Sequence, residues 1–335
     1  MEFDGNIKSF LNIAFENKQD VFLKMRIPDI TELFSDSIKT VVFLPGAFAS
    51  YEDAAFADAK EAPSEKTYNT ERDFIVADIR FLNRQPFREY LIKNSFVRIV
   101  LLFAECSDIS EYGYRESFFS AGEFRDTADY YCQLVSFFSP SETDIEDYVR
   151  YFGCENVISL GKNSNADFTC YEAVNAADKF RVAAAEAEKS AFRKVCIYFN
   201  SRSEALDFAT FLSKRGTDYC RVDGSMDMAE KYKNLYKFRN GKCCILIVTK
   251  SFIPDSLFFE CDRCIICGAP FSLSHLYRCS YAASDRTVDI IYCENDFLRN
   301  EKIISSFSLK TEDTSFYKSR MNRLLEIKNL LKRGT

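Results

Sequence analysis

Three cysteines carry the spacing most suggestive of chemistry. Cys261-x-x-Cys264-x-x-Cys267 has the interval of an iron–sulfur or zinc motif. Two of them lie on the apolar run 263–267, which reads as a strand. The two-residue period of a strand sends Cys264 and Cys267 to opposite faces. No fourth ligand stands nearby in sequence, so the pattern reads as core packing and not as a metal site. His275 is the single histidine of the chain, which excludes sites built on two histidines. It has no nucleophile or carboxylate partner in sequence reach and reads as opening or capping a short helix. The remaining chemistry is charge. Residues 317–335 hold six basic side chains (Lys318, Arg320, Arg323, Lys328, Lys332, Arg333) against Glu326 alone, a net charge of +5. Residues 104–155 hold twelve acidic side chains against three basic ones, net −9. A phosphate backbone is attracted to the first stretch and repelled by the second.

The elements that must position these residues belong to a chain of 335 residues, enough for about two domains, each with a sizeable core. Lys and Arg number 44 and Asp and Glu 50, a net charge of −6 that excludes coating of nucleic acid by bulk charge. Thirteen cysteines are an odd count, and most sit in apolar runs such as Val195-Cys196-Ile197-Tyr198-Phe199. The start shows no basic segment followed by an apolar one, and no run approaches ~18 apolar residues. The expectation is a reduced, cytoplasmic protein with free thiols and no membrane contact.

In the second half, apolar runs at 195–199, 218–222, 243–248, 263–267 and 288–292 alternate with segments of helical period. Asn200-Ser201 caps a helix that stops at Gly216, a second helix spans 226–238, and a shorter one spans 273–279. The first half repeats the rhythm, with strand candidates at 20–25, 40–44, 73–77, 97–103 and 133–138. Its helix candidates are 5–16, 47–60, 86–93 and 143–152. Residues 160–193 begin polar and continue as an Ala/Glu/Lys-rich helix, which sets a domain boundary near Asn163. Met321, Leu324, Leu325 and Leu331 give the basic tail an amphipathic helical pattern. Continuous apolar strands separated by helices predict an α/β class with parallel sheets covered on both faces.

The run Phe103-Ala104-Glu105-Cys106-Ser107-Asp108-Ile109-Ser110-Glu111-Tyr112-Gly113-Tyr114-Arg115 resembles the D-E-A-H-C-I-S-x-W-G-H-D-F-R segment of RecQ-type superfamily 2 DNA helicases. Other stretches follow in order. The run from Val195 to Arg202 is similar to the strand and N/S-R that open the family's second domain. Ile245-Leu246-Ile247-Val248-Thr249 resembles its V-V-V-A-T strand, and Ala269-Pro270-Phe271-Ser272 with Tyr277 resembles its D-L-P-x-S-x-x-x-Y. The likeness spans roughly residues 10–305 and is carried by order and spacing more than by identity. It implies two tandem RecA-like (P-loop NTPase-like) domains, 1–160 and 161–310, followed by a basic amphipathic helix, 311–335.

The departures fall on the family's chemistry. An NTPase needs a glycine-rich loop of backbone N–H groups with a Lys and a Ser/Thr. After the strand at 20–25 this chain reads Arg26-Ile27-Pro28-Asp29-Ile30-Thr31-Glu32, without glycine and with two carboxylates. Ala104 stands where the family's Mg²⁺-binding Asp would be, while Glu105 remains as a vestige of the water-activating base. Ala282 and Asp285 stand at the positions of the two arginines, and Ser251-Phe252-Ile253-Pro254-Asp255 replaces the G-x-G-[IV]-D turn. No cysteine-rich continuation resembling the family's zinc module follows. Loss of the positioning and electrostatic groups together predicts no ATP or Mg²⁺ binding and no hydrolysis.

The resemblance thus implies a catalytically inactive helicase homologue acting as a nucleic-acid and/or protein-binding scaffold. Asn200, Ser201, Arg202 and Thr249 match positions that touch the nucleic-acid backbone, although capping and strand termination account for the same residue types. Lys250, Arg278, Arg320 and Arg323 extend this set through their charge. Tyr112 and Tyr114 fall in the family's aromatic-rich loop, where the surrounding acidity favours protein contact or packing. Expected partners are DNA, bound weakly, or a protein held by the acidic face of the first domain. The alternatives are a weak ATP-dependent helicase with non-standard nucleotide binding and a pure protein-interaction module.

Overall fold

The computed structural model describes residues 7–25, 29–44, 72–102, 104, 115–138, 148–149, 152–161, 167–189, 194–249, 259–270, 273–284, 287–311 and 314–333. The chain divides into two compact units, 1–164 and 165–335. Each is built on a six-stranded sheet in which every pairing is parallel.

The first sheet joins β1 (Asp20–Lys24), β2 (Thr40–Leu44), β3 (Phe74–Asp78), β4 (Arg98–Leu101), β5 (Gln133–Phe138) and β6 (Val157–Gly161) in the order β3-β2-β4-β5-β1-β6. Runs such as Thr-Val-Val-Phe-Leu are buried along their whole length, because helices cover both faces. The α-helices described in this unit are α1 (Ile7–Glu16), α2 (Ile30–Leu33), α3 (Gln85–Lys93) and α4 (Arg115–Thr127). The reading at 47–60 and most of 143–152 lies outside the described residues.

Two cations, one buried and one partly buried, lock the amino ends of these strands. Arg98 opens β4 with no exposed surface. Its Nε donates to Gln133 Oε1 at 2.9 Å, Nη1 to Asp36 Oδ2 at 2.8 Å and Nη2 to Asn12 Oδ1 at 3.2 Å. The rings of Phe15 and Phe34 lie 5.5 and 5.6 Å from the guanidinium carbon, so the charge is paired and stacked. Beside it, Arg125 of α4 donates to both oxygens of Asp20, and Asp20 Oδ1 also accepts from Leu134 N at 2.8 Å.

The second sheet joins β7 (Asp167–Glu172), β8 (Val195–Phe199), β9 (Cys220–Val222), β10 (Ile245–Thr249), β11 (Arg263–Cys267) and β12 (Thr287–Tyr292) in the order β7-β12-β11-β8-β10-β9. Its helices are α5 (Ala176–Ala187), α6 (Arg202–Lys214), α7 (Met228–Arg239), α8 (Leu273–Ala282), α9 (Glu294–Thr311) and α10 (Thr314–Arg333). The core between α5, α6 and the sheet gathers Ala183, Ala184, Ile197, Phe199, Phe208, Leu212, Ile247 and Ile265.

Two features depart from the expectations. Residues 157–172 hold two strands, β6 and β7, where a polar segment leading into a helix is expected. Both are edge strands, paired on one side only and half exposed, so neither shows a continuous apolar run. The tail helix α10 buries Leu324, Ile327 and Leu331, while Leu325 points to solvent. Its inner face lies against α9, where Lys328 pairs with Glu294 and sits 5.2 Å from the Phe297 ring centroid. Part of the basic tail is therefore spent on docking.

Removing the Arg98 guanidinium strands Asp36 and Gln133 at the sheet edge. Arg98→Ala is expected to lower the unfolding free energy by about 3 kcal/mol in urea titrations followed by circular dichroism. A loss under about 1 kcal/mol contradicts the role assigned to this cation.

Candidate nucleic-acid interface

All strands of the second sheet run the same way, so the residues that follow them meet at one edge. In the register, Phe199 stands beside both Thr249 and Cys267, and Val222 beside Val248. Asn200, Ser201, Arg202, Asp223, Thr249 and Gly268 are thereby brought to one edge. Asn200 Nδ2 donates to the Ala269 carbonyl at 2.6 Å, as does Asn300 Nδ2 at 3.1 Å. Gly268 makes this approach possible: it holds φ +137°, and a Cβ there would meet Asn200 Nδ2 at 3.3 Å. Asn200 Oδ1 is buried without a hydrogen-bond partner among the described residues. Ser201 caps α6, its Oγ accepting from Glu204 N at 3.2 Å.

Arg202 is exposed at the first turn of α6. It faces Asp223, whose Oδ1 accepts from Ser225 N at 2.8 Å and whose Oδ2 lies 2.8 Å from Arg221 Nε. Burial pushes the Asp223 carboxyl up, but the Ser225 hydrogen bonds and the charges of Arg221 and Arg202 outweigh it and hold the group below its usual range. Thr249 ends β10 and is buried. Arg278 lies on α8 with 3% of its surface exposed, out of reach of a strand laid over the molecule. Arg323 is half-buried on α10. Lys250, Glu105, Tyr112 and Tyr114 lie outside the described residues, as does the Arg320 side chain. Of the proposed phosphate contacts at the sheet edge, Arg202 alone is described with an exposed charged group.

Beneath the edge is a buried ion cluster that sequence reasoning missed. Lys179 of α5 has no exposed surface, and its Nζ reaches Glu204 Oε1 at 3.0 Å and Asp296 Oδ1 at 2.8 Å. Arg299 of α9 pairs with the same Glu204, and Asp296 Oδ2 accepts from Cys293 N at 2.9 Å. The cluster therefore ties α5, α6 and α9 together. Burial opposes the Glu204 charge, but Arg299 and Lys179 prevail and hold its carboxyl below the ordinary 4.5. Burial also opposes the Lys179 charge, and Asp296 and Glu204 more than restore it, so its ammonium is held above the usual lysine range. The only sequence signal was a lysine on the stripe otherwise formed by Ala183 and Ala187.

In the first unit, α2 follows β1. Asp29 caps α2, its Oδ1 accepting from Thr31 N at 2.9 Å and from Glu32 N at 3.2 Å. The N–H groups at this helix start thus hold a carboxylate of the chain itself. Ala104 is buried after β4. Among the cysteines, Cys264 faces Cys196 and Cys279, while Cys267 packs with Phe199 and Ile291 on the other side of the sheet. Burial pushes the Cys196 and Cys267 thiols up, which leaves both as neutral core side chains. His275 lies within α8, near its start. No helix among the described residues is long and apolar enough to cross a membrane.

A model of the helicase conserved C-terminal domain matches residues 178–281, which hold β8 to β11 and most of α8. The two units together match tandem RecA-like helicase domains. The DEAD-box helicase Mss116 bound to single-stranded RNA and UDP-BeF is similar with a TM-score of 0.66 at 15% identity, over 100% of this chain and 84% of that one. The DUF1998 helicase MrfA bound to DNA gives 0.58 at 12%, over 85% and 48%. The Lhr helicase of Mycobacterium smegmatis bound to single-stranded DNA and AMP-PNP gives 0.57 at 13%, over 92% and 45%. The chain thus spans about half the length of MrfA and of Lhr. No curated protein matches it. At these identities the likeness is one of fold.

The ion cluster generates a pH prediction. Because the Glu204 carboxyl is depressed in the folded state, its stabilisation is present above about pH 4.5 and is lost as pH falls through the depressed value. Lys179→Met removes the cation and leaves Asp296 unpaired at its Nζ side, costing about 3 kcal/mol at neutral pH. Stability measured from pH 7 down to 3 should therefore fall steeply in the parent protein and less steeply in the variant. Equal acid slopes would remove the cluster from this role.

Proposed function

We propose that this chain is a helicase-fold protein of RecQ-like ancestry that binds single-stranded nucleic acid without hydrolysing ATP. The single observation that carries the reading is Asp29, whose carboxylate already accepts the N–H groups at the start of α2. A triphosphate arriving there meets a fixed negative charge, with Glu32 beside it, instead of a cradle of donors. The buried Ala104 supports the same reading, since it offers no ligand to a divalent cation where the resemblance places an aspartate.

Nucleic-acid binding is supported by the exposed Arg202 and by the basic residues of the tail, Arg320 and Arg323 among them. The relatives of similar fold named above were solved with DNA or RNA. The ladder of Asn200, Ser201 and Gly268 gives Arg202 a rigid base, because each is fixed by a backbone partner or a tight approach. The strongly acidic stretch 104–155 restricts binding to the second unit.

Two measurements test the two halves of the reading. Thermal-shift titration with Mg-ATP should give no saturable rise in melting temperature, and phosphate release should not respond to single-stranded DNA. A concentration-dependent rise, or DNA-stimulated turnover, would falsify the claim of lost ATPase function. Fluorescence anisotropy with a labelled oligothymidylate at ~20 mM salt should show weak binding, with log affinity falling by about 0.7 per log unit of salt for each phosphate contact. Reversing the charge at Arg202, Arg320 and Arg323 should remove most of it. Complete absence of binding at that salt sinks the nucleic-acid role.

A further inference from the structure

The helix α7 (Met228–Arg239) has two faces of different chemistry. Its inner face packs on β9 and β10. Asn234 Nδ2 donates to the Arg221 carbonyl at 2.9 Å, and Phe238 is fully buried, meeting Phe259 edge-on at 5.5 Å between centroids. On the opposite side, Ala229, then Tyr232 and Lys233, then Tyr236 and Lys237, then Asn240 stand on successive turns and are all exposed. Tyr232 and Tyr236 keep 43% and 60% of their surface in solvent. Lys242, just past the helix, lies 6.0 Å from the Tyr236 ring centroid.

Stability does not explain this face. Lysine and arginine in the last turn favour the helix dipole, which accounts for Lys237 and Arg239. It does not account for Lys233 near the middle, nor for two tyrosines left in water where better helix formers serve. The stretch 228–242 holds five basic residues against Glu230 alone, in a protein whose net charge is −6. The exposed stripe carries no Leu, Ile, Met or Val, so it lacks the aliphatic anchors by which a partner helix docks into a groove. It alternates rings with cations instead. That is the pairing a single-stranded nucleic acid requires, since its bases offer flat faces and its backbone a charge at each step.

We propose that the outer face of α7 is a second contact surface for single-stranded nucleic acid. Bases stack on Tyr232 and Tyr236, and Lys233 and Lys237 neutralise the adjoining phosphates. The proposal rests on the reading that the chain binds single strands at all. It adds a surface on the flank of the second sheet, on the β9 edge, separate from the strand ends that present Arg202.

The test compares the parent protein with four variants: Tyr232→Ala/Tyr236→Ala, Tyr232→Phe/Tyr236→Phe, Lys233→Glu/Lys237→Glu and Arg202→Glu. Each is titrated against labelled oligothymidylate and against a labelled poly-glutamate peptide, with melting temperatures as the folding control. Loss of both rings should weaken oligothymidylate binding roughly tenfold or more, while the phenylalanine pair binds like the parent because the stacking ring remains. The lysine reversal should weaken binding and flatten the salt slope by about 1.4, two contacts at about 0.7 each. If Arg202→Glu weakens binding but the alanine and glutamate variants of α7 do not, the α7 surface is refuted and the nucleic-acid reading stands. If the parent binds no oligothymidylate at all, both are refuted. Binding of poly-glutamate alone, abolished by the lysine reversal, replaces this proposal with a docking face for an acidic protein.

Discussion

A parallel strand can be followed by its neighbour only after the chain has crossed back over the sheet. That constraint fixes the two edges of each unit as places of opposite kind. Strands begin at one edge and end at the other, so every loop that could carry chemistry is gathered at the strand ends. The second unit shows the result: Asn200, Asp223, Thr249 and Gly268 are far apart in sequence, yet the register of β8 to β11 sets them side by side. What each residue does there depends on whether its polar atoms are already taken.

Both units handle the start or end of their strands with a buried cation. Arg98 in the first and Lys179 in the second have no exposed surface, and each ties together side chains from three separate parts of its unit. Arg98 uses the planar fork of its guanidinium to address Gln133, Asp36 and Asn12 in three directions. Lys179 presents a point charge shared between Glu204 and Asp296. Such groups add less net stability than an apolar core of the same volume, but they penalise any arrangement that separates the partners. They define one geometry for the helices that carry the loops.

The fold was legible wherever a strand is buried on both faces. Val195–Phe199 and Arg263–Cys267 announce themselves as continuous apolar runs, and the structure places strands there. The edge strands Val157–Gly161 and Asp167–Glu172 were not legible, because a strand with solvent on one flank carries the mixed composition of a loop. In the tail, helical spacing alone did not decide between Leu325 and Ile327, since the direction of the stripe depends on what it packs against. At the site, the resemblance placed Asn200 and Ser201 where a nucleic-acid backbone is touched, while their residue types read as a helix cap; the structure shows the cap at Ser201 and gives both side chains backbone partners. Lys179 escaped notice because a charged residue on an apolar stripe contradicts the pattern until its counter-charges, at Glu204 and Asp296, are brought close. Tyr232 and Tyr236 escaped it for a related reason: charge counted along the chain averages over the two faces of a helix.

Asp29 has a consequence for how such a protein lets go. A carboxylate tethered two residues from the amide it caps competes at an effective concentration that a diffusing anion does not approach. A motor alternates between tight and loose grip because nucleotide enters and leaves its loop, and each exchange resets the affinity for the strand. On the reading proposed above, the donors at this position are held by a permanent internal anion, and that reset has no trigger. The grip is then timeless in this sense: a strand leaves by thermal dissociation, by competition or by salt, and fuel sets no clock on its stay.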